Sequence, residues 1–91
     1  MVWRIEVAAR VDKAIAKLDR PTRERIVRFL YERLGRMEDP RSIGEALKGS
    51  GYGELWKYRV GDYRLICKIE DERLLALVVR VGHRREIYRE T

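Results

Sequence analysis

A single cysteine, a single histidine, and neither asparagine nor glutamine occur in this 91-residue chain. One cysteine, Cys67, excludes an internal disulfide and suits a reducing compartment. One histidine and one cysteine make no zinc site, and the basic segments lack the close set of carboxylates that two-metal nucleases need, so neither a metal nor a cofactor is expected. There is no long apolar run and no strongly amphipathic basic anchor, which argues against a membrane partner. The opening MVWRIEVAAR carries charges where a signal peptide has its apolar region, and a cytoplasmic location is expected. The missing amides beside a charged content of 40% point weakly to a heat-adapted source, and an arginine-biased genome gives the same composition. No repeat, low-complexity tract or linker divides the chain, so residues 1–91 are read as one small domain.

What is abundant is positive charge. Lys and Arg number 21 against 15 Asp and Glu, a net charge of +6. Such a surface favours a polyanionic or acidic partner: nucleic acid, a ribosomal surface, or an acidic protein.

The apolar spacing gives the fold class. VWRIEVA alternates and predicts a strand over Val2 to Val7. Val11, Ile15 and Leu18 fall at helical spacing and predict a helix over Ala9 to Asp19. Pro21 suits the first turn of a second helix, whose stripe runs through Ile26, Leu30, Leu34 and Met37. Residues 38–53, with one Pro and four Gly, read as a loop with a turn of helix near Ile43 to Leu47. Three strand-like runs follow, and the last, rich in Leu74 to Val79, is apolar on both faces and belongs in the middle of a sheet. The expected architecture is α+β: a β-α-α-β-β-β chain with two antiparallel helices on one face of a four-stranded, mostly antiparallel sheet of order 1-4-3-2. The other face of that sheet carries Leu75, Leu77 and Val79, an apolar strip beside basic residues that a partner helix would cover.

The chemistry concentrates around Gly61-Asp62, a two-residue hairpin signal. If those residues are the loop, Val60 pairs with Tyr63 and Arg59 lies directly opposite Arg64, with Lys57 two residues along the same face. Like charges across a strand pair destabilise it by some tenths of a kcal/mol, so the arrangement has no structural motive, whereas a bound anion would remove the penalty. His83, Arg84, Arg85 and Tyr88 follow the last strand. Cys67, between Leu65 and Ile69, reads as inert core, and Trp56 and Tyr58 read as core aromatics.

LKG at 47–49, LWKYRVGDYRLICKIEDERLL at 55–75 and VVRVGHRREIYR at 78–89 together resemble the RelE family of bacterial and archaeal toxins, within the RelE/ParE superfamily. The resemblance covers essentially the whole chain and implies a ribosome-dependent endoribonuclease that cuts messenger RNA in the decoding site. It also implies a cognate antitoxin as partner. Residue by residue, Lys57 and Arg59 match the basic pair of the second strand, Arg64 the arginine opening the third, Arg84 the arginine after the last strand, and Tyr88 the tyrosine near the carboxyl end. His83 stands where the best-known member has a lysine. Metal-free RNA cleavage needs a base for the 2′-hydroxyl, cations for the phosphorane and an acid for the leaving oxygen. Arg64 and Arg84 suit the cationic role because their planar fork contacts two phosphate oxygens and keeps its proton. His83 is the expected base, since an unperturbed imidazole titrates near neutrality. Tyr88, or a lysine inside a cluster of cations such as Lys57, could serve instead.

Overall fold

The computed structural model describes residues 2–47 and 55–86. Strand β1 spans Arg4–Val7 and helix α1 spans Ala9–Ala16, burying Val11 and Ile15. Helix α1 ends before the expected Asp19 because that carboxylate is the cap of helix α2, Arg20–Arg28. Asp19 accepts from the Thr22 N–H at 3.2 Å and from the Thr22 hydroxyl at 2.8 Å, and Pro21 sits in the first turn, where a missing N–H costs nothing. Those bonds, the hydroxyl foremost, hold the Asp19 carboxyl below its ordinary range. A depressed folded-state value adds stability above the unfolded value of about 4 that is lost as pH falls through the folded one. Asp19→Ala should therefore lower the unfolding midpoint at pH 7, with the difference shrinking below about pH 4. Thermal denaturation at both pH values checks this.

The stripe read as one helix to Met37 is subdivided. After Arg28 the chain takes a π turn over Phe29–Arg33 and a 3-10 turn over Leu34–Arg36, keeping Leu30 and Leu34 buried. Gly35 then accepts from the Trp3 N–H at 2.7 Å. That bond draws residue 3 away from the sheet, which is why β1 begins at Arg4 rather than at Val2.

The sheet has five strands, not four. In chain order after β1 they are β2 (Glu45–Ala46), β3 (Leu55–Val60), β4 (Tyr63–Glu70) and β5 (Leu75–His83), arranged β1-β5-β4-β3-β2. The four expected strands keep their expected order, with β1 parallel to β5 and the other pairs antiparallel. The added strand β2 replaces the helical turn expected near Ile43 to Leu47. The turn lies earlier, as a 3-10 segment over Pro40–Ile43 capped by Asp39, and two residues then pair with Trp56 and Lys57. A pairing that short carries no alternation by which a sequence could announce it.

One face of the sheet packs with the helices: Val11, Ile15, Ile26, Leu30 and Leu34 share a core with Tyr58, Leu65, Cys67, Ile69, Ala76 and Val78. The opposite face is less open than expected. Leu75 is 2% exposed in the isolated chain and Ile66 is also buried, while Leu77 and Val79 are half-buried, so the strip is not an uncovered apolar surface. No helix among the described residues is long and apolar enough to cross a membrane.

Candidate active site

The β3–β4 hairpin forms in the register that Gly61-Asp62 requires: Val60 faces Tyr63, Arg59 faces Arg64, and Lys57 faces Ile66. Gly61 has φ of 60° and Asp62 has no positive φ, the combination of a type II′ turn. Pairing alternation puts Lys57, Arg59 and Arg64 on the face away from the helices.

Their surroundings differ. Arg59 is exposed, and among the described residues no carboxylate pairs with it. Arg64 is 6% exposed; its Nη1 donates to the Gly61 carbonyl at 3.1 Å and to the Tyr63 carbonyl at 2.9 Å, and its Nε is buried with no partner among the described residues. Two neutral carbonyls orient the guanidinium without cancelling its charge. Lys57 is 9% exposed, and its Nζ lies 3.9 Å from Glu45 Oε2, at the outer limit of an ion pair. Glu45 is a site neighbour that sequence reasoning missed, since it reaches Lys57 only through the two-residue strand β2.

Arg84 joins the group through its backbone. Its N–H donates to the Asp62 carbonyl at 2.8 Å, which ties the end of β5 to the hairpin turn and leaves the side chain exposed. Residues 84–86 are helical. Tyr88 lies outside the described residues.

His83 goes elsewhere. Ile66 pairs with Arg80 and Cys67 with Val78, so Val79 is an extra residue in β5. This bulge inverts the alternation beyond it. Val81 and His83 thereby come to the face of Leu65 and Tyr63, opposite Arg64, and the His83 ring meets Tyr63 edge-on at 5.6 Å. Its Nδ1 accepts from the Arg85 N–H at 3.3 Å, so the lone pair on that nitrogen is engaged.

Of the residues read as core, Cys67 and Tyr58 are buried, while Trp56 is half-buried against the core. Cys67 is fully buried, and burial pushes its thiol up to about 12. Tyr58 is buried with its hydroxyl donating to the Pro40 carbonyl at 2.8 Å, and burial raises it well above the usual phenol range. Among the described residues no group of His, Cys, Asp and Glu could hold a metal ion.

A family model described as the ParE toxin of the type II toxin-antitoxin system parDE matches residues 5–88. Over 64 residues the chain is 36% identical to toxin RelG of Mycobacterium tuberculosis, covering 70% of each protein. A chain of the M. tuberculosis RelBE2 toxin-antitoxin complex shares the fold with a TM-score of 0.81 at 24% identity, over 91% of this chain and 92% of that one. A chain of the intact Escherichia coli RelBE toxin-antitoxin complex gives a TM-score of 0.69 at 30% identity, over 89% and 95% respectively.

Proposed function

The chain belongs to the RelE/ParE superfamily of type II toxins, and from that premise we propose that it is a ribosome-dependent, metal-independent endoribonuclease that cuts messenger RNA in the decoding site and so inhibits translation. The observation carrying this reading is the Arg59–Arg64 cross-strand pair: two like charges held opposite each other on a rigid hairpin, with no carboxylate on either among the described residues.

In the proposed reaction a ribose 2′-hydroxyl loses its proton to a base, the O2′–P bond forms, and the P–O5′ bond breaks. The products are a 2′,3′-cyclic phosphate and a 5′-hydroxyl whose oxygen takes up a proton. Arg64 and Arg84 contact the non-bridging oxygens as charge builds on the phosphorane, and Arg59 adds a cation beside them. Of the base candidates, Lys57 stands on the face of Arg59 and Arg64, whereas His83 stands on the other face with Nδ1 engaged. We assign the base role to Lys57 on that geometry, with Tyr88 as the alternative. His83→Ala should then cost less than about ten-fold in single-turnover cleavage, against the 10²–10⁴-fold expected for removing a general base. A loss in that larger range would return the role to His83.

The partner implied by the solved RelBE complex is a cognate antitoxin. Against a net charge of +6, an acidic or amphipathic segment, disordered when free and folding on the toxin, fits best. A second reading has its own support, because the matching family model is that of ParE: a toxin that blocks DNA gyrase by binding. Primer extension on ribosome-bound message, run beside a gyrase supercoiling assay, separates them. Discrete cuts within the decoding site are expected; intact message at saturating protein together with gyrase inhibition would replace the first reading with the second. Intact message without gyrase inhibition leaves a non-catalytic basic RNA-binding module.

A further inference from the structure

Helix α2 and the π turn after it carry two large apolar side chains that the core leaves outside. Among the described residues only Val2, Val27 and Tyr31 are large, apolar and exposed, and Val27 and Tyr31, at 44% and 52%, stand four residues apart on one helical face. With Arg23, Glu24, Arg28 and Glu32 they line a shallow groove of about 660 Å³. The charges around it differ from those of the hairpin. Arg20, Glu24, Arg28 and Glu32 alternate in sign at a spacing of four, with Arg20 Nε 2.9 Å from Glu24 Oε1 and Arg28 Nε 3.7 Å from Glu32 Oε2. RNA or an acidic segment would meet two carboxylates here, so this face does not select a polyanion. Its alternation has another property. Run in reverse, Arg-Glu-Arg-Glu becomes Glu-Arg-Glu-Arg, so an antiparallel copy of the same helix sets each arginine against a glutamate.

We propose that this face is the interface of a weak, symmetric dimer of the chain, two copies of α2 lying antiparallel about a two-fold axis near Val27. Arg23 and Tyr31 stand four residues on either side of Val27, so that axis brings the two Val27 side chains together and lays each Tyr31 ring against Arg23 of the second copy. Arg23 is held for such a contact: its Nη1 donates to the Ala16 and Leu18 carbonyls at 3.4 Å, neutral groups that fix the guanidinium and leave its charge uncancelled. Beside that row, Glu24 comes against Arg28 of the second copy, and Arg28 against Glu24. The helices and the hairpin cations occupy opposite faces of the sheet, so pairing through α2 keeps Arg59 and Arg64 of both copies away from the interface. The dimer therefore stands whether or not the chain cuts RNA. One helix pair buries less than about 1,200 Å², the range of transient contacts, and association is expected at high micromolar concentration.

Sedimentation equilibrium of the full chain at rising concentration tests this. A monomer–dimer equilibrium is expected. E24R or R28E alone should weaken it by about ten-fold, because symmetry makes each change disturb two contacts, and the double variant E24R/R28E should recover most of the loss by exchanging both partners at once. Both positions are exposed, so the variants should fold, which circular dichroism checks. A second measurement does not depend on charge. Val27→Cys treated with diamide, which takes up the two thiol hydrogens, should form a disulfide-linked dimer on a non-reducing gel. The parent chain, whose one cysteine, Cys67, is buried, should stay monomeric under the same treatment. Monomer at every concentration with no cross-link overturns the proposal. A dimer indifferent to E24R and R28E overturns the assignment to this face, and a double variant that recovers nothing overturns the antiparallel pairing.

Discussion

Arg64→Ala is expected to lower the rate of message cleavage by about 10²–10³-fold, the usual loss when one preorganised donor to a developing oxyanion is removed. Arg64 is nearly buried and two backbone carbonyls accept from its Nη1, so its guanidinium is held in one orientation in the free protein. Its removal relieves repulsion with Arg59 opposite but also deletes a nearly buried side chain and its two bonds to carbonyls, so the fold of the variant is verified by circular dichroism beside the assay. Arg64→Lys should recover little, since an ammonium supplies a point charge where the site offers room for a planar fork. Single-turnover cleavage and RNA binding must be measured together. A basic module without catalysis would lose one phosphate contact, seen as a salt-dependent affinity slope shallower by about 0.7, and no more. Cleavage within ten-fold of the parent protein would remove Arg64 from the chemistry.

The second large effect is on stability. Gly44→Ala should destabilise the protein by about 1–3 kcal/mol, the range for overpacking a filled core. For a domain of this size that is a fall of roughly 4–8 °C in the unfolding midpoint per kcal/mol. A Cβ at Gly44 would stand 2.8 Å from Cε1 and 2.9 Å from Cζ of Tyr58. That ring cannot step aside: it is 1% exposed, its hydroxyl is bound to the Pro40 carbonyl, and Phe29 packs on it at 5.9 Å between centroids. Combining Gly44→Ala with Tyr58→Leu should cost less than the two changes summed, because the atoms that clash are then absent. Strict additivity in thermal or urea denaturation would show that the ring is not the obstacle.

Gly44 also marks where the sequence stopped being readable. The hairpin register follows from two turn residues and an alternating pattern, which alone place Arg59 opposite Arg64. The order of β1, β5, β4 and β3 followed from the run Leu74 to Val79, apolar on both faces. Strand β2 could not be anticipated, because two residues have no period, and with it went the approach of Glu45 to Lys57. The bulge at Val79 was equally hidden. An inserted residue looks like any other valine, yet it reverses which side His83 faces. The long helical stripe hid its own subdivision, because α, π and 3-10 turns can all keep Leu30 and Leu34 buried. The anchoring of Arg64 and Arg84 lies in main-chain carbonyls, which every residue has and no sequence displays.

Strand β1 has a single neighbour, β5, and Arg4 lies opposite Leu75. That contact closes a loop of 71 positions (75 minus 4), so it is among the last to be rewarded during folding. A nascent chain that has reached only Glu70 can hold the two helices and the β3–β4 hairpin, but its first strand has nothing to lie against and Arg84 has not been made. Translation thus finishes the sheet and supplies Arg84, whose N–H bonds the Asp62 carbonyl of the hairpin turn, in the same stretch.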